Sequence, residues 1–275
     1  MTSSKPSQYI KGWIEFYKLK FKVTPDVLIP RPETELLVDE VLKFYTLYPI
    51  PYTLIDLGTG SGNIAISIAK NLITNPRGLL APRLRIIATD ISPKALKIAK
   101  QNAKLHGVEN QIQFLQSDLL SVIANEVKQS SSETNPNKIA RLASQTKPRQ
   151  RRAKRATLPS QTRFARNNEE EIIIVTNLPY IPSSRIPYLE SSVKDFEPRV
   201  ALDGGEDGFE LYRKLLKQIS SLARRPLLSL KLLVGEIDYT HGELAINEAL
   251  KYFPDAQVEV KTDLAKKQRI LKILF

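Results

Sequence analysis

Four short turns hold the residues of this chain that could do chemistry. The first is Asp56-Leu57-Gly58-Thr59-Gly60-Ser61-Gly62, which closes the apolar run Thr53–Leu57. Glycines in such a turn let the backbone approach a ligand closely, and the helix that follows presents unpaired amides. The spacing is G-x-G-x-G with an acid two residues before the first glycine. Dinucleotide sites favour G-x-G-x-x-G, where a pyrophosphate meets the helix end. An acid so close repels a pyrophosphate but suits a cationic ligand such as S-adenosylmethionine. Asp56, Gly58, Thr59, Gly60, Ser61 and Gly62 are therefore candidate cofactor-binding residues. Asp90 ends a second run, Leu84–Thr89, where a carboxylate can accept both hydroxyls of a ribose; capping the next helix is its alternative role. Asp118 follows a third run, Ile112–Leu115, and could accept from an adenine amino group with Leu119 packed on the ring. A plain turn aspartate accounts for Asp118 about equally well.

The fourth turn, Asn177-Leu178-Pro179-Tyr180, follows the β-branched run Ile172–Val175. The Asn177 side-chain oxygen and the Leu178 backbone carbonyl are two acceptors that can hold both hydrogens of an –NH2 on a planar carbon. Such a nitrogen is a poor nucleophile because its lone pair is delocalised. Fixing it in line with an activated methyl, and drawing on its hydrogens, favours the pyramidal geometry that attack needs. Pro179 stiffens the loop, and Tyr180 can stack on a flat substrate group. Asn177, Leu178, Pro179 and Tyr180 are the candidate catalytic residues, with Asn177 facing the cofactor as well.

The elements that must position these turns alternate between strand and helix. Gly62–Ile73 puts Ala65, Ile68, Ala69 and Leu72 on one helical face. Ser92 reads as an N-cap with Pro93 at the first helical position, and Gly107 as the stop. After Ile172–Val175 the pattern predicts a helix over Glu206–Ala223, a strand over Leu230–Ile237 and a helix over Gly242–Phe253. Val258–Lys261 and Ile270–Leu274 lie too close together for a crossover helix and should pair antiparallel. The expected fold is α/β: a doubly wound, Rossmann-like, seven-stranded sheet, mostly parallel, with an antiparallel C-terminal hairpin.

Composition excludes several chemistries. The chain has 275 residues, no cysteine and two histidines, His106 and His241, so disulfides, thiolate sites and a three-histidine zinc site are ruled out and no metal is expected. No stretch approaches the roughly 18 apolar residues of a membrane span, and the first residues lack the apolar core of a signal peptide. A cytoplasmic protein with no membrane partner is expected. The net charge is +12. Between Ala124 and Asn168 eleven basic and two acidic residues carry nine of those charges, in a stretch rich in Ser, Thr, Asn, Gln and Pro with no apolar period. A solvated, disordered insertion at about 124–168 is expected. An RNA-contacting arm stays open beside it, since an Arg-rich segment binds phosphate whatever its purpose.

Two further blocks give these turns a context: Leu28-Ile29-Pro30-Arg31-Pro32-Glu33-Thr34-Glu35, and Phe196-Glu197-Pro198-Arg199 running on to Ala201-Leu202-Asp203-Gly204-Gly205-Glu206-Asp207-Gly208. With Asn-x-Pro-Tyr, typical of methyltransferases acting on amides or exocyclic amines, they resemble the release-factor glutamine methyltransferases, the HemK family. The resemblance runs from about Gln8 to the C-terminus, apart from the basic segment. It implies S-adenosylmethionine as cofactor and the Gly-Gly-Gln glutamine of peptide-chain release factors as substrate. By position, Gly58 to Gly62, Asp90 and Leu119 line the cofactor pocket, and Leu178 to Tyr180 hold the glutamine amide. Arg31 and Glu33 to Glu35 can shape the pocket mouth. Residues 1–27 are expected to be a remnant linker or hairpin in place of the family's N-terminal helical domain, with the methyltransferase domain over 28–275. The family usually has Asn-Pro-Pro-Tyr. Asn-Leu-Pro-Tyr also occurs in ribosomal RNA adenine dimethylases, so RNA or DNA adenine methylation remains an alternative, as does a non-catalytic RNA-binding relic of the fold. Removing residues 124–168 should leave a single cooperative thermal transition; its loss would show that the segment belongs to the folded core.

Overall fold

The computed structural model describes residues 5–73, 84–122, 170–223 and 228–275. The basic segment expected at 124–168 lies outside the described residues. An inner strand, β3 (Tyr52–Leu57), is buried at every residue, as expected of a strand covered on both faces. It pairs in parallel with β4 (Leu84–Asp90) on one side and β6 (Glu170–Thr176) on the other; β4 continues to β5 (Ile112–Gln116) and β6 to β7 (Leu228–Glu236), all parallel. β9 (Gln268–Leu274) returns antiparallel to β7, and β8 (Gln257–Thr262) closes the edge against β9. The seven-stranded order is β5-β4-β3-β6-β7-β9-β8. The strand direction of growth therefore reverses between β3 and β6, which makes a crevice at their carboxyl ends.

Alternating residues on the strands feed two apolar layers. Leu54, Ile86, Ala88, Ile173, Val175, Leu232 and Val234 face α2 (Glu35–Leu47), α3 (Asn63–Ile73) and α4 (Pro93–Leu105). Ile55, Leu57, Ile172, Ile174, Leu233, Leu271 and Ile273 face the other way. There Leu215, Leu216 and Ile219 of a helix at Glu210–Ala223 and Ala245 and Ala249 of another at Gly242–Tyr252 cover them. Ser92 caps α4 as read from the sequence, its hydroxyl accepting from the Ala95 amide at 3.2 Å, and Gly107 takes the left-handed conformation just beyond the helix.

At the N-terminal side a five-residue helix, α1 (Ser7–Lys11), leads into a separate hairpin, β1 (Trp13–Phe16) and β2 (Leu19–Lys22). Its two-residue turn puts Tyr17 and Lys18 at φ 49° and 60°, the conformation that a twisted hairpin of this length demands. The Tyr17 amide and hydroxyl donate to Glu35 and Asp39 of α2, at 2.7 Å each, and Phe16 and Phe21 sink into the main core. The hairpin is thus packed on the sheet domain.

One expected helix start is wrong. The helix expected from Glu206 begins at Glu210 and is α6 (Glu210–Ala223); two elements precede and follow it, α5 (Ser191–Lys194) and α7 (Gly242–Tyr252). Gly205 and Gly208 sit at φ 93° and 81°, which no helix can include. Asp207 caps this turn, accepting from the Phe209 amide at 3.0 Å. Gly208 presses on the 180s loop, where an added Cβ would lie 2.4 Å from the Tyr180 carbonyl oxygen.

Asn102 on α4 joins the hairpin to the glycine turn. Fully buried, it accepts from the Lys22 amide at 2.8 Å and donates to the carbonyls of Lys22 (3.0 Å) and Ser61 (2.8 Å). Asn102→Ala removes the side-chain partner of three backbone groups, the buried Ser61 carbonyl among them. It is expected to cost about 2 kcal/mol or more in urea unfolding; a change below about 0.5 kcal/mol would show that this clamp is dispensable.

Candidate active site

A cleft opens at the carboxyl ends of β3 to β6. Gly58, Thr59, Gly60 and Ser61 form its floor; Asp90, Ile91 and Ser92, then Ser117, Asp118 and Leu119, form one wall. Asn177, Leu178 and Pro179 face them, and Leu28, Pro30 and Thr34 with Pro198, Val200 and Ala201 complete the rim. The glycine turn, both strand-end acids and the 177–179 loop, all read from the sequence, meet in one place.

Asp90 is anchored on both oxygens, one accepting from the Gly60 amide and the other from the Ser92 amide, each at 2.8 Å. Burial raises its pKa, while those amides oppose the shift. Each oxygen keeps a second lone pair for a ligand hydroxyl. Leu119 is held at φ 52°, and the Ser117 hydroxyl donates to its carbonyl at 2.7 Å. Leu120 beside it donates to Gln218 of α6 at 3.0 Å. Asp118 lines the cleft but is also ion-paired with Lys214 of α6, both half-exposed.

Asp56 and Gly62 do not line the cleft. Asp56 is fully buried behind the turn, where its Oδ2 accepts from the Thr59 hydroxyl at 2.6 Å and the Ala65 amide at 3.3 Å. Its Oδ1 has no partner among the described residues. Burial pushes its pKa up to about 7; those two hydrogen bonds oppose the shift and the nearby Asp90 charge adds to it. Gly62, at φ 83°, lets α3 close on α4: an added Cβ would lie 2.8 Å from Ile66 and 3.2 Å from Ala99. Tyr180 is also outside the cleft lining. Its hydroxyl, which the stacking expectation left unassigned, donates at 2.9 Å to Glu236, so the ring is tethered beside the loop.

Leu178 stands where the family usually has the first of two prolines, and its side chain is buried in the apolar cluster that holds Leu57 and Phe209 in the α6–α7 layer. Packing supplies the rigidity a proline ring would have given. The two blocks around the turns brace the loop and each other. Glu197 accepts from the Ile29 amide at 3.3 Å and pairs with Arg31, joining the first block to the second. Ile181 pairs with Asp203, and a Cβ on Gly204 would lie 2.8 Å from the Pro179 carbonyl and from the Tyr180 Cα.

Two residues of the site escaped the sequence reading as individuals. Asn177 Nδ2 donates to Thr34 Oγ1 at 3.2 Å, and Thr34 Oγ1 donates to Glu236 Oε2 at 2.6 Å. Glu236 is fully buried at the end of β7. Burial raises its pKa, and its hydrogen bonds with Thr34 and Tyr180 and the charge of Arg269 oppose that. An acid at a strand's carboxyl end marked Asp90 and Asp118, and the same signal was present at Glu236. The histidines are structural. His241 is buried at the start of α7, its Nε2 3.0 Å from the Asp207 carbonyl, and His106 Nε2 lies 2.9 Å from the Lys20 carbonyl. Among the described residues no cluster of His, Asp or Glu is placed to hold a metal, and no helix is long and apolar enough to cross a membrane.

A family model described as a methyltransferase domain matches residues 51–144. The release factor glutamine methyltransferase of Moorella thermoacetica is 38% identical over 220 residues, 80% of this chain and 58% of that protein. That of Thermodesulfovibrio yellowstonii is 33% identical over 268 residues, 97% of this chain and 75% of the relative. This chain belongs to the release factor glutamine methyltransferase family. It spans a little over half the length of the Moorella and Koribacter versatilis relatives, 58% of each. Among solved structures, the human METTL16 catalytic domain in complex with an MAT2A 3′UTR hairpin superposes with a TM-score of 0.57 at 13% identity, over 94% of this chain and 76% of that one. That likeness is one of fold and matches the mostly parallel, helix-covered sheet expected from the sequence.

The buried Asp56 gives the family's glycine turn a pH signature. A carboxyl whose pKa rises from 3.8 to about 7 on folding keeps its proton where the unfolded chain has lost it. Folding is therefore weakened by this group as pH rises through that window. Asp56→Asn keeps an acceptor for Thr59 and Ala65 and removes the titration. Its urea-unfolding free energy should rise relative to that of the wild type between pH 4 and pH 7; parallel profiles would refute the assignment.

Proposed function

We propose that this chain transfers the methyl group of S-adenosylmethionine to the side-chain nitrogen of the glutamine in the Gly-Gly-Gln motif of peptide-chain release factors. The observation that carries this reading is the placement of Asn177 and Leu178 in the wall of the cleft floored by the glycine turn. Membership of the family supports the choice of substrate. The cleft suits the cofactor: Gly58 and Gly60 hold positive-φ turns at its floor, and Asp90 presents a buried, amide-anchored carboxylate where ribose hydroxyls would be received. The buried Asp56 lies directly behind, its Oδ2 accepting from the Thr59 hydroxyl of that turn.

When bound, S-adenosylmethionine supplies an electrophilic methyl on positively charged sulfur. The chain supplies position. Gly58, Thr59, Gly60 and Ser61 offer backbone at close range, Asp90 receives the ribose, and Asp118 with Leu119 receives the adenine. Asn177 Oδ1 and the Leu178 carbonyl accept the two hydrogens of the glutamine –NH2. Neither forms a bond to carbon; both favour the positive charge that gathers on nitrogen as its lone pair leaves conjugation. Pro179 limits the loop, and Tyr180, tied to Glu236, braces it. A positioned general base is not required, since the nitrogen becomes acidic only as methylation proceeds and water can accept the proton.

Mass spectrometry of a release factor incubated with the protein and S-adenosylmethionine should find one added methyl on the Gly-Gly-Gln glutamine. Methyl incorporation into an RNA offered alongside, with none in the release factor, would overturn the reading. Asn177→Ala should abolish transfer while S-adenosylmethionine affinity by calorimetry stays within roughly tenfold, about 1.4 kcal/mol. Near-normal turnover of that variant would remove the assigned role.

A further inference from the structure

An asparagine carboxamide has two ends of nearly the same shape and opposite hydrogen-bonding sense. Only the oxygen end can hold a substrate –NH2; rotated by half a turn, Asn177 would present two donors to two donors. We infer that Thr34 and Glu236 set this polarity, acting as positioning residues that keep the Asn177 oxygen toward the cleft. The inference rests on the reading of Asn177 as the acceptor for a substrate –NH2.

With Glu236 ionised, the geometry leaves one arrangement. A threonine hydroxyl has a single proton to give. Thr34 Oγ1 lies 2.6 Å from Glu236 Oε2, and a carboxylate only accepts, so that proton is committed to Glu236. The hydroxyl then shows Asn177 lone pairs alone, and at 3.2 Å only the Nδ2 end can answer them. The second carboxylate oxygen is taken by the Tyr180 hydroxyl at 2.9 Å, so both donors converge on Glu236 and neither can reverse without leaving a buried oxygen unpaired. Water cannot relieve such a loss at Glu236, which is fully buried and outside the cleft lining. The backbone of Glu236 is pinned as well, its carbonyl accepting from the buried Tyr212 hydroxyl. Glu236 does not line the cleft, and each of its oxygens already accepts from a hydroxyl, so it orients Asn177 rather than taking a proton from substrate. The relay also joins three distant segments: the Pro32–Thr34 turn, the end of β7 and the loop after β6.

Thr34→Val keeps the volume and removes the hydroxyl; Thr34→Ser restores it. The first should lower kcat on release factor by roughly tenfold or more, with S-adenosylmethionine affinity within about threefold and a cooperative melt retained. Thr34→Ser should return kcat to within about threefold of wild type. Glu236→Gln must turn an –NH2 toward Thr34 or Tyr180, and its loss should not add to that of Thr34→Val in the double variant. Wild-type kcat in Thr34→Val, no recovery in Thr34→Ser, or additive losses would overturn the inference. A readout free of substrate keeps it separable from the proposed function. In 15N-asparagine-labelled protein the Asn177 side-chain amide, assigned by its absence in Asn177→Ala, should exchange slowly with solvent. That protection should vanish in Thr34→Val and persist in Thr34→Ser. Protection lost as expected, alongside a release factor that takes no methyl, would reject the substrate and keep the relay. An unprotected wild-type amide would reject the relay whatever the substrate.

Discussion

A carboxylate removed from water must have its lone pairs filled by the protein, and this site is built around four buried acids. Asp56 and Glu236 are fully buried, and Asp90 and Glu197 nearly so. Asp90, Glu197 and Glu236 each draw a partner from another segment, whereas Asp56 is held by Thr59 and Ala65 just after it. Asp90 takes the Gly60 amide, thirty residues away; Glu197 takes Ile29 and Arg31; Glu236 takes Thr34 and Tyr180. Burying an unpaired charge costs far more than any single contact returns, so these partners are obligatory. The loops around the cleft are consequently held by the same bonds that make burial of the acids tolerable. Asp56 is the partial exception: one oxygen lacks a partner, and the group responds by holding its proton to higher pH.

Two packed layers make this possible. Parallel strands covered on both faces leave their carboxyl ends as an open edge, and every turn that emerges there reaches the same crevice. The edge is stiffened from both sides. Asn102 ties the glycine turn to the β1–β2 hairpin, and Gly204 and Gly208 let the 203–208 turn press on Pro179 and Tyr180. An Asn-x-Pro-Tyr loop with a leucine in second place holds its shape because Leu178 is sunk in the α6–α7 layer. The backbone carbonyl is the chemically useful part of that residue, and it survives the exchange of a ring for a packed side chain.

Local pattern was enough to predict most of the elements. Strands Thr53–Leu57 and Ile172–Val175 and the Ser92-Pro93 helix start carry their signals in neighbouring residues, through apolar runs, capping and the fixed φ of proline. The same holds for the chemistry of the turns, because a strand-end acid, a glycine-rich turn and an Asn-x-Pro-Tyr loop are legible from residue type and spacing. The helix expected from Glu206 failed at a turn that meets a distant segment: Gly208 is left-handed and lies against Tyr180, where no Cβ fits.

Which side of the turn each residue occupies was decided only by tertiary packing. Asp56 and Asp90 look alike in sequence, each closing an apolar run, yet one lies behind the glycine turn and the other in the cleft. Thr34 sat in a block already suspected of shaping the mouth, but its hydroxyl gains meaning only when the end of β7 brings Glu236 to within 2.6 Å. Residue types and spacing along the chain therefore determined which acceptors this protein owns and that they gather at one sheet edge. Where each hydrogen points depended on folding, since a hydroxyl or carboxamide has no preferred direction until partners from other segments surround it.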